Sequence, residues 1–127
     1  MSSLGKEFFV EQEIYFILKG ITSLPISFLF LFVVGLAAPF LEEIIFRGFL
    51  FATMRNNFGP WRATVYSSLL FAALHQSLIA FFPIFFLAIA LAYLYERTGS
   101  LWPSIMLHIT NNTVATLFVI FVKEATK

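Results

Sequence analysis

Charged residues along this chain fall into four short groups, within Lys6–Lys19, Glu42–Arg62, Glu96–Arg97 and Lys123–Lys127, separated by long apolar stretches. The uncharged runs Ile21–Leu41, Ala63–Tyr95 and Thr98–Val122 are each long enough for a membrane span, which takes about 20 residues. A straight helix through Ala63–Tyr95 would overrun a hydrocarbon core of about 30 Å at a rise of ~1.5 Å per residue, so that run is expected to fold back on itself. Pro83 marks the expected turn, because proline has no N–H to give to a preceding helical turn. The pattern thus predicts helices near 62–76 and 83–97. Gly99 suits the end of the second of these and Pro103 the first turn of a last helix over about 102–122. The first run continues through Glu42-Glu43 into Gly48-Phe49-Leu50-Phe51-Ala52, again too long to cross straight. Pro39 is expected to kink or restart it, leaving the glutamates in or just after a first turn, where the helix dipole favours negative charge. Residues 1–20 mix charges with Phe8, Phe9, Val10 and Ile14–Leu18 and read as an amphipathic helix lying in the interface. They lack the basic start, short apolar stretch and small-residue cleavage site of a signal peptide. The prediction is an all-α, polytopic membrane helix bundle: about four transmembrane helices in a core over 21–127, preceded by the interfacial segment 1–20.

Composition agrees and narrows the chemistry. Of 127 residues, 60% are hydrophobic and 12% charged, against roughly 45–50% and about 25% in soluble domains. A soluble domain of about 150 residues buries only roughly 70% of the surface its unfolded chain exposes, too little to hide this much apolar area. The lipid bilayer is therefore the expected surroundings, and an integral, multi-pass protein of the cell membrane the expected setting. A net charge of +1 leaves no basic surface of the kind nucleic acids require. The absence of cysteine excludes disulfides, thiolate zinc sites and a cysteine nucleophile. With four spans, Arg55, Arg62 and Arg97 share one side and Lys6, Lys19, Lys123 and Lys127 the other. The two arginines of the short 55–62 loop favour that side as cytoplasmic.

Ionisable groups inside the apolar runs stand out against this background. Each costs ~2.5–3.5 kcal/mol at membrane depth on insertion scales, so Glu42, Glu43 and Arg47 require compensation. Glu43 and Arg47 are four apart and share a helix face, where carboxylate and guanidinium can pair, while Glu42 points about 100° away. Arg47 can then hold Glu43 in place and leave Glu42 to meet water or substrate. The alternative is that all three form a solvated helix end at the headgroup boundary. His75, after Phe71-Ala72-Ala73-Leu74, reads alone as a neutral histidine bonded to a backbone carbonyl. His108 has Asn112 on the same face and Thr110 and Asn111 close by, which fits either a shared target or an interhelical hydrogen-bond pair.

Taken together, the two histidines of the chain and the glutamate pair all fall in apolar segments. A carboxylate with imidazoles is the set needed to deprotonate water, and Asn with a second imidazole can donate to a developing oxyanion. The same groups can instead hold a metal with one position open for water. The zinc-protease motif HExxH is absent, and neither Ser67-Ser68 nor Ser77 sits in a nucleophile-elbow motif.

These residues resemble the motifs of the CPBP family, the CAAX prenyl endopeptidases and the bacteriocin-processing or bacteriocin-immunity intramembrane proteases. Glu42-Glu43-Ile44-Ile45-Phe46-Arg47-Gly48 looks like its EExxxR motif, Phe71–His75 like FxxxH, and His108–Asn112 like HxxxN. Glu96-Arg97-Thr98-Gly99-Ser100-Leu101-Trp102-Pro103 is similar to the usual approach to the last motif, and the resemblance runs from about Ala37 to Ala115.

The resemblance implies a helical membrane fold with a polar cavity and hydrolysis of peptide bonds in or beside the bilayer. By analogy Glu42 with His75 would activate water, His108 and Asn112 would stabilise the oxyanion, and Glu43 and Arg47 would support the site. Family members are also described as metalloproteases, so zinc held by Glu42, His75 and His108 is the alternative. Members usually carry further helices before the first motif. That difference points to a minimal or truncated member whose cavity is covered by homodimerisation or by a partner membrane protein. The expected substrate is a peptide or protein at the membrane. Two readings of other classes stay open: a catalytically silent immunity or scaffold protein of the same fold, and a proton or ion pathway.

Overall fold

The computed structural model describes residues 24–126. Those residues form four helices joined by tight turns, and no strand occurs among them. Helix α1 runs over Leu24–Phe58, α2 over Pro60–Leu74, α3 over Leu78–Thr98 and α4 over Trp102–Ala125. The all-α membrane architecture read from the sequence holds. The expected interfacial helix over 1–20 lies outside the described residues.

Three helices, α1, α3 and α4, are long and apolar enough to cross a membrane. Helix α2 has 15 residues, about 22 Å at 1.5 Å each, and falls short of a hydrocarbon core of about 30 Å. Its buried face, Ala63, Ser67, Ser68, Phe71 and Ala72, is mostly small, which lets neighbouring backbones approach closely. The matching face of α3 is Ala88, Leu91 and Ala92. Phe51 of α1 packs with Ala63 and Ala92, flanked by Met54 and Tyr95.

Chain reversals follow local chemistry. Gly59 adopts φ 83, which a side chain would resist, and Pro60 opens α2 without needing a donor. Gly99 takes the left-handed conformation, φ 65, at the end of α3, and Pro103 sits in the first turn of α4, as the sequence predicts. Arg55 donates to both carboxylate oxygens of Glu96 at 2.5 and 2.9 Å, tying the ends of α1 and α3 together. The Gly59 and Gly99 turns therefore share one side of the bundle.

The expected turn at Pro83 is not where the chain reverses. Residues 75–77 make that turn: Gln76 is left-handed at φ 55, and the Ser77 hydroxyl caps α3 by accepting from the Ala80 N–H at 3.2 Å. A serine cap with a left-handed residue before it reverses the chain more sharply than proline can. Pro83 instead lies within the second turn of α3, where it removes a single backbone donor. The helices accordingly span 60–74 and 78–98 rather than 62–76 and 83–97.

Pro39 does not restart α1 either. Backbone angles on either side of it stay helical, and the helix runs through, widening into π turns over Val33–Ala37 and Ile44–Phe51. Glu42 and Glu43 therefore sit in mid-helix, not in a first turn.

The burial pattern is inverted relative to a soluble domain. Phe28, Phe49, Ile79 and Phe121 are at least 66% exposed, while Glu43, Arg47, Ser68, Ser104 and His108 are buried. Replacing Pro83 by Ala restores a donor to α3, so Pro83→Ala should leave thermal stability in detergent unchanged or raised, and Gly99→Val should lower it by roughly 1–2 kcal/mol through left-handed strain. A clear loss of stability in Pro83→Ala would return the turn to that position.

Candidate active site

Glu43 is fully buried and its Oε1 accepts from two directions. Arg47 Nη1 donates to it at 2.8 Å from the next turn of α1, the pairing predicted from the four-residue spacing. The Nδ1 of His108, on α4, lies 2.6 Å from the same oxygen. An ionised carboxylate only accepts, so Nδ1 is the donor and carries a proton. The other ring nitrogen, Nε2, then faces Glu42, whose Oε2 is 3.5 Å away.

Arg47 joins three helices. Its Nη2 donates to the Ala88 carbonyl of α3 at 3.1 Å, and its guanidinium carbon lies 4.6 Å from the centre of the Phe71 ring on α2. Phe71 also meets Phe46 edge-on at 4.9 Å and touches both histidine rings, His75 at 4.7 Å and His108 at 5.6 Å. Ser104, one turn before His108, gives its hydroxyl to the Leu91 carbonyl at 2.7 Å and fixes α4 against α3. His108 is thus aimed by the floor beneath it as well as by Glu43.

Glu42 differs from its neighbour. Its side chain is 33% exposed, yet Oε2 is buried without a hydrogen-bond partner. Among the described residues the other buried side-chain atoms without partners are Glu43 Oε2, Arg47 Nε and Ser68 Oγ. Three of these four belong to the EExxxR motif, so unspent polar capacity is concentrated at one place. Asn112 is half-buried one turn past His108, and its Nδ2 donates to the Val34 carbonyl of α1 at 3.3 Å.

His75 takes up the end of α2, with Nδ1 2.7 Å from the Phe71 carbonyl of its own helix. That carbonyl can only accept, so Nδ1 carries the proton and Nε2 is left as a basic nitrogen. His75 is outside ion-pair reach of both glutamates. The structure brings Glu42, Glu43, Arg47 and His108 into direct contact, places Asn112 alongside, and holds His75 to the cluster through Phe71. Glu42, His75 and His108, the set considered for zinc, do not converge: among the described residues no three His, Asp or Glu side chains are gathered as a metal would require.

Sequence reasoning singled out Phe71 only as a motif letter. Its position four before His75 was the available signal, but contact with Arg47 and His108 depends on how three helices pack. The carbonyls of Ala88 and Val34 carried no signal at all.

A profile of the Rce1-like type II CAAX prenyl endopeptidases matches residues 24–114, which include all three motifs. The chain belongs to this family. Among curated proteins, this CAAX-protease-family chain is 32% identical over 97 residues to a protein of Bacillus subtilis strain 168 named as membrane peptidase YdiL, covering 76% of the chain and 38% of that protein. It is 31% identical over 106 residues to the membrane-embedded CAAX protease MroQ of Staphylococcus aureus strain USA300, covering 78% and 42%. An uncharacterized 24.3 kDa protein of Escherichia coli is 30% identical over 101 residues, covering 76% and 46%. The chain therefore spans less than half the length of each of these relatives. No solved structure matches it. Family membership and the three apolar helices together make it an integral membrane protein.

Removing Arg47 would strand a buried carboxylate, so Arg47→Met should destabilise the protein by about 3–5 kcal/mol. Arg47→Lys should recover only part of this, because a single ammonium cannot reach Glu43 and Ala88 while stacking on Phe71. Thermal unfolding in detergent checks both, and a lysine variant as stable as wild type would contradict the three-helix role.

Proposed function

We propose that this protein is an intramembrane endopeptidase in which Glu42 deprotonates a water that attacks a peptide carbonyl. The observation that supports this most strongly is Glu42 itself. It is the partly exposed member of a buried cluster, it has an unpartnered carboxylate oxygen, and a neighbouring imidazole nitrogen lies 3.5 Å away. Its neighbour Glu43, in contrast, is committed to Arg47 and His108.

The roles divide as follows. Glu42 takes the water proton, and His75, whose ring packs on Phe71 as that of His108 does, helps to hold that water. As the carbonyl carbon becomes tetrahedral, its oxygen gains negative charge, which donors fixed in a water-poor site stabilise far better than bulk water does. Asn112 supplies one N–H. His108 supplies the other from Nε2 when that nitrogen carries a proton. Collapse of the intermediate breaks the C–N bond, and the proton held by Glu42 passes to the leaving amine. The products are a new carboxylate and a new amine. The substrate class is a polypeptide segment at the membrane, and the mechanism draws on these side chains without a metal.

The test is cleavage of a peptide library by the purified protein in liposomes. Glu42→Gln and His108→Ala should each lower kcat by about 10²–10⁴-fold, and a chelator titration should leave wild-type cleavage unchanged. Cleavage that survives both substitutions would overturn the assignment. Loss of activity on chelation, restored by zinc, would replace the metal-free mechanism. Collapse of a pH gradient without any cleavage would favour an ion pathway.

A further inference from the structure

The π turn before the glutamates has a use that the reaction scheme does not cover. Within Val33–Ala37 the Ala38 N–H reaches back to the Val33 carbonyl, five residues away, instead of to Val34. In the same register the Val34 carbonyl would pair with the N–H of residue 39. Residue 39 is proline and has none. The Gly35 carbonyl, in ordinary α register, would look to residue 39 as well. In either register the donor would be residue 39, so Pro39 withholds the one N–H that Val34 O or Gly35 O would take, in an apolar bundle where an unpaired carbonyl is costly.

Both carbonyls are taken up by α4. Asn112 Nδ2 donates to Val34 O and Thr113 Oγ1 donates to Gly35 O, each at 3.3 Å. The approach is close enough to need glycine: a Cβ at position 35 would come within 3.0 Å of Thr113 Oγ1 and 3.5 Å of Thr113 Cα. These bonds also settle which way the Asn112 amide faces. A carbonyl accepts only from the NH₂ side, and Asn111 Nδ2, 3.4 Å from Asn112 Oδ1, occupies the other side. One of the two N–H bonds of Asn112 is spent on Val34, and the second remains available.

We propose that the proline-interrupted π turn of α1 is the docking site for α4, and that Gly35, Pro39 and Thr113 are positioning residues that set the register of α4 and the orientation of the Asn112 amide. The catalytic half of this rests on the reading of Asn112 as an oxyanion donor; the docking half does not. Sliding α4 by a fraction of a turn would lose both carbonyl bonds together and carry His108 away from Glu43. The device is written in α1 as Gly35 and Pro39 placed four residues apart, with Glu43 four further on.

A double-mutant cycle on thermal stability, in the full chain in lipid or detergent, tests the docking without any substrate. Thr113→Val should lower Tm in the wild-type background and lower it much less in Pro39→Ala, where the new N–H satisfies a carbonyl that Thr113 and Asn112 otherwise serve. Equal losses in both backgrounds would overturn the docking site. With a cleaved peptide in hand, Thr113→Val should reduce kcat about tenfold while KM stays unchanged, as expected of a misplaced catalytic group, and Thr113→Ser should restore it. Wild-type kcat in Thr113→Val would overturn the positioning role while leaving the protease reading intact. If wild-type protein cleaves no peptide, the catalytic half falls with the protease reading, and the stability cycle alone decides the docking half.

Discussion

Placing a guanidinium inside an apolar bundle is the constraint on which the rest of this structure depends. Arg47 is 1% exposed and Glu43 wholly buried, so neither can be left unpaired in a medium that solvates charge poorly. Arg47 answers with a carboxylate on its own helix, a backbone carbonyl on α3 and an aromatic face on α2. Glu43 in turn shares its paired oxygen with His108 on α4. One carboxylate oxygen and one guanidinium thus link all four helices, and His108, proposed to do chemistry, is part of that link. Stability and activity should be hard to separate at these positions, whereas Glu42, one-third exposed and meeting only His108 at 3.5 Å, should weigh on activity more than on stability.

Around this polar centre the fold is assembled from small residues and satisfied hydroxyls. Ala63, Ser67, Ala88 and Ala92 allow close helix approach, and Thr53, Thr64 and Thr98 return their hydroxyls to carbonyls four residues earlier on their own helices. Large apolar side chains are left to face lipid. Close packing of small residues substitutes here for the hydrophobic driving force that water would provide, since lipid tails are as apolar as leucine. Of the motif residues, Glu43, Arg47, Phe71 and His108 occupy the interior.

Much of the arrangement was legible in the sequence because helical spacing is local. The Glu43–Arg47 pair follows from a separation of four, the ends of α3 and α4 from Gly99 and Pro103, and the membrane setting from the uncharged runs. The misreadings share a cause. Pro83 and Pro39 both read locally as breaks, but Pro83 stands in the second turn of α3, where it removes a single donor, and beside Pro39 the helix runs on through π turns while α4 supplies donors to nearby carbonyls. Partner choice between helices was not legible either. The analogy paired Glu42 with His75, and nothing in the spacing showed that His108 would contact both glutamates, because that contact is set by the docking of α4 and by Ser104 and Phe71 beneath it.

The central claim is that Glu43 fixes the His108 imidazole through a hydrogen bond that Glu42 does not make. The side-chain ¹⁵N resonances of His108, recorded in lipid with His75 assigned by substitution, test it most directly. The account predicts a protonated Nδ1 in a strong hydrogen bond that is lost in Glu43→Gln and retained in Glu42→Gln. An Nδ1 signal indifferent to Glu43→Gln, or abolished by Glu42→Gln instead, would contradict it.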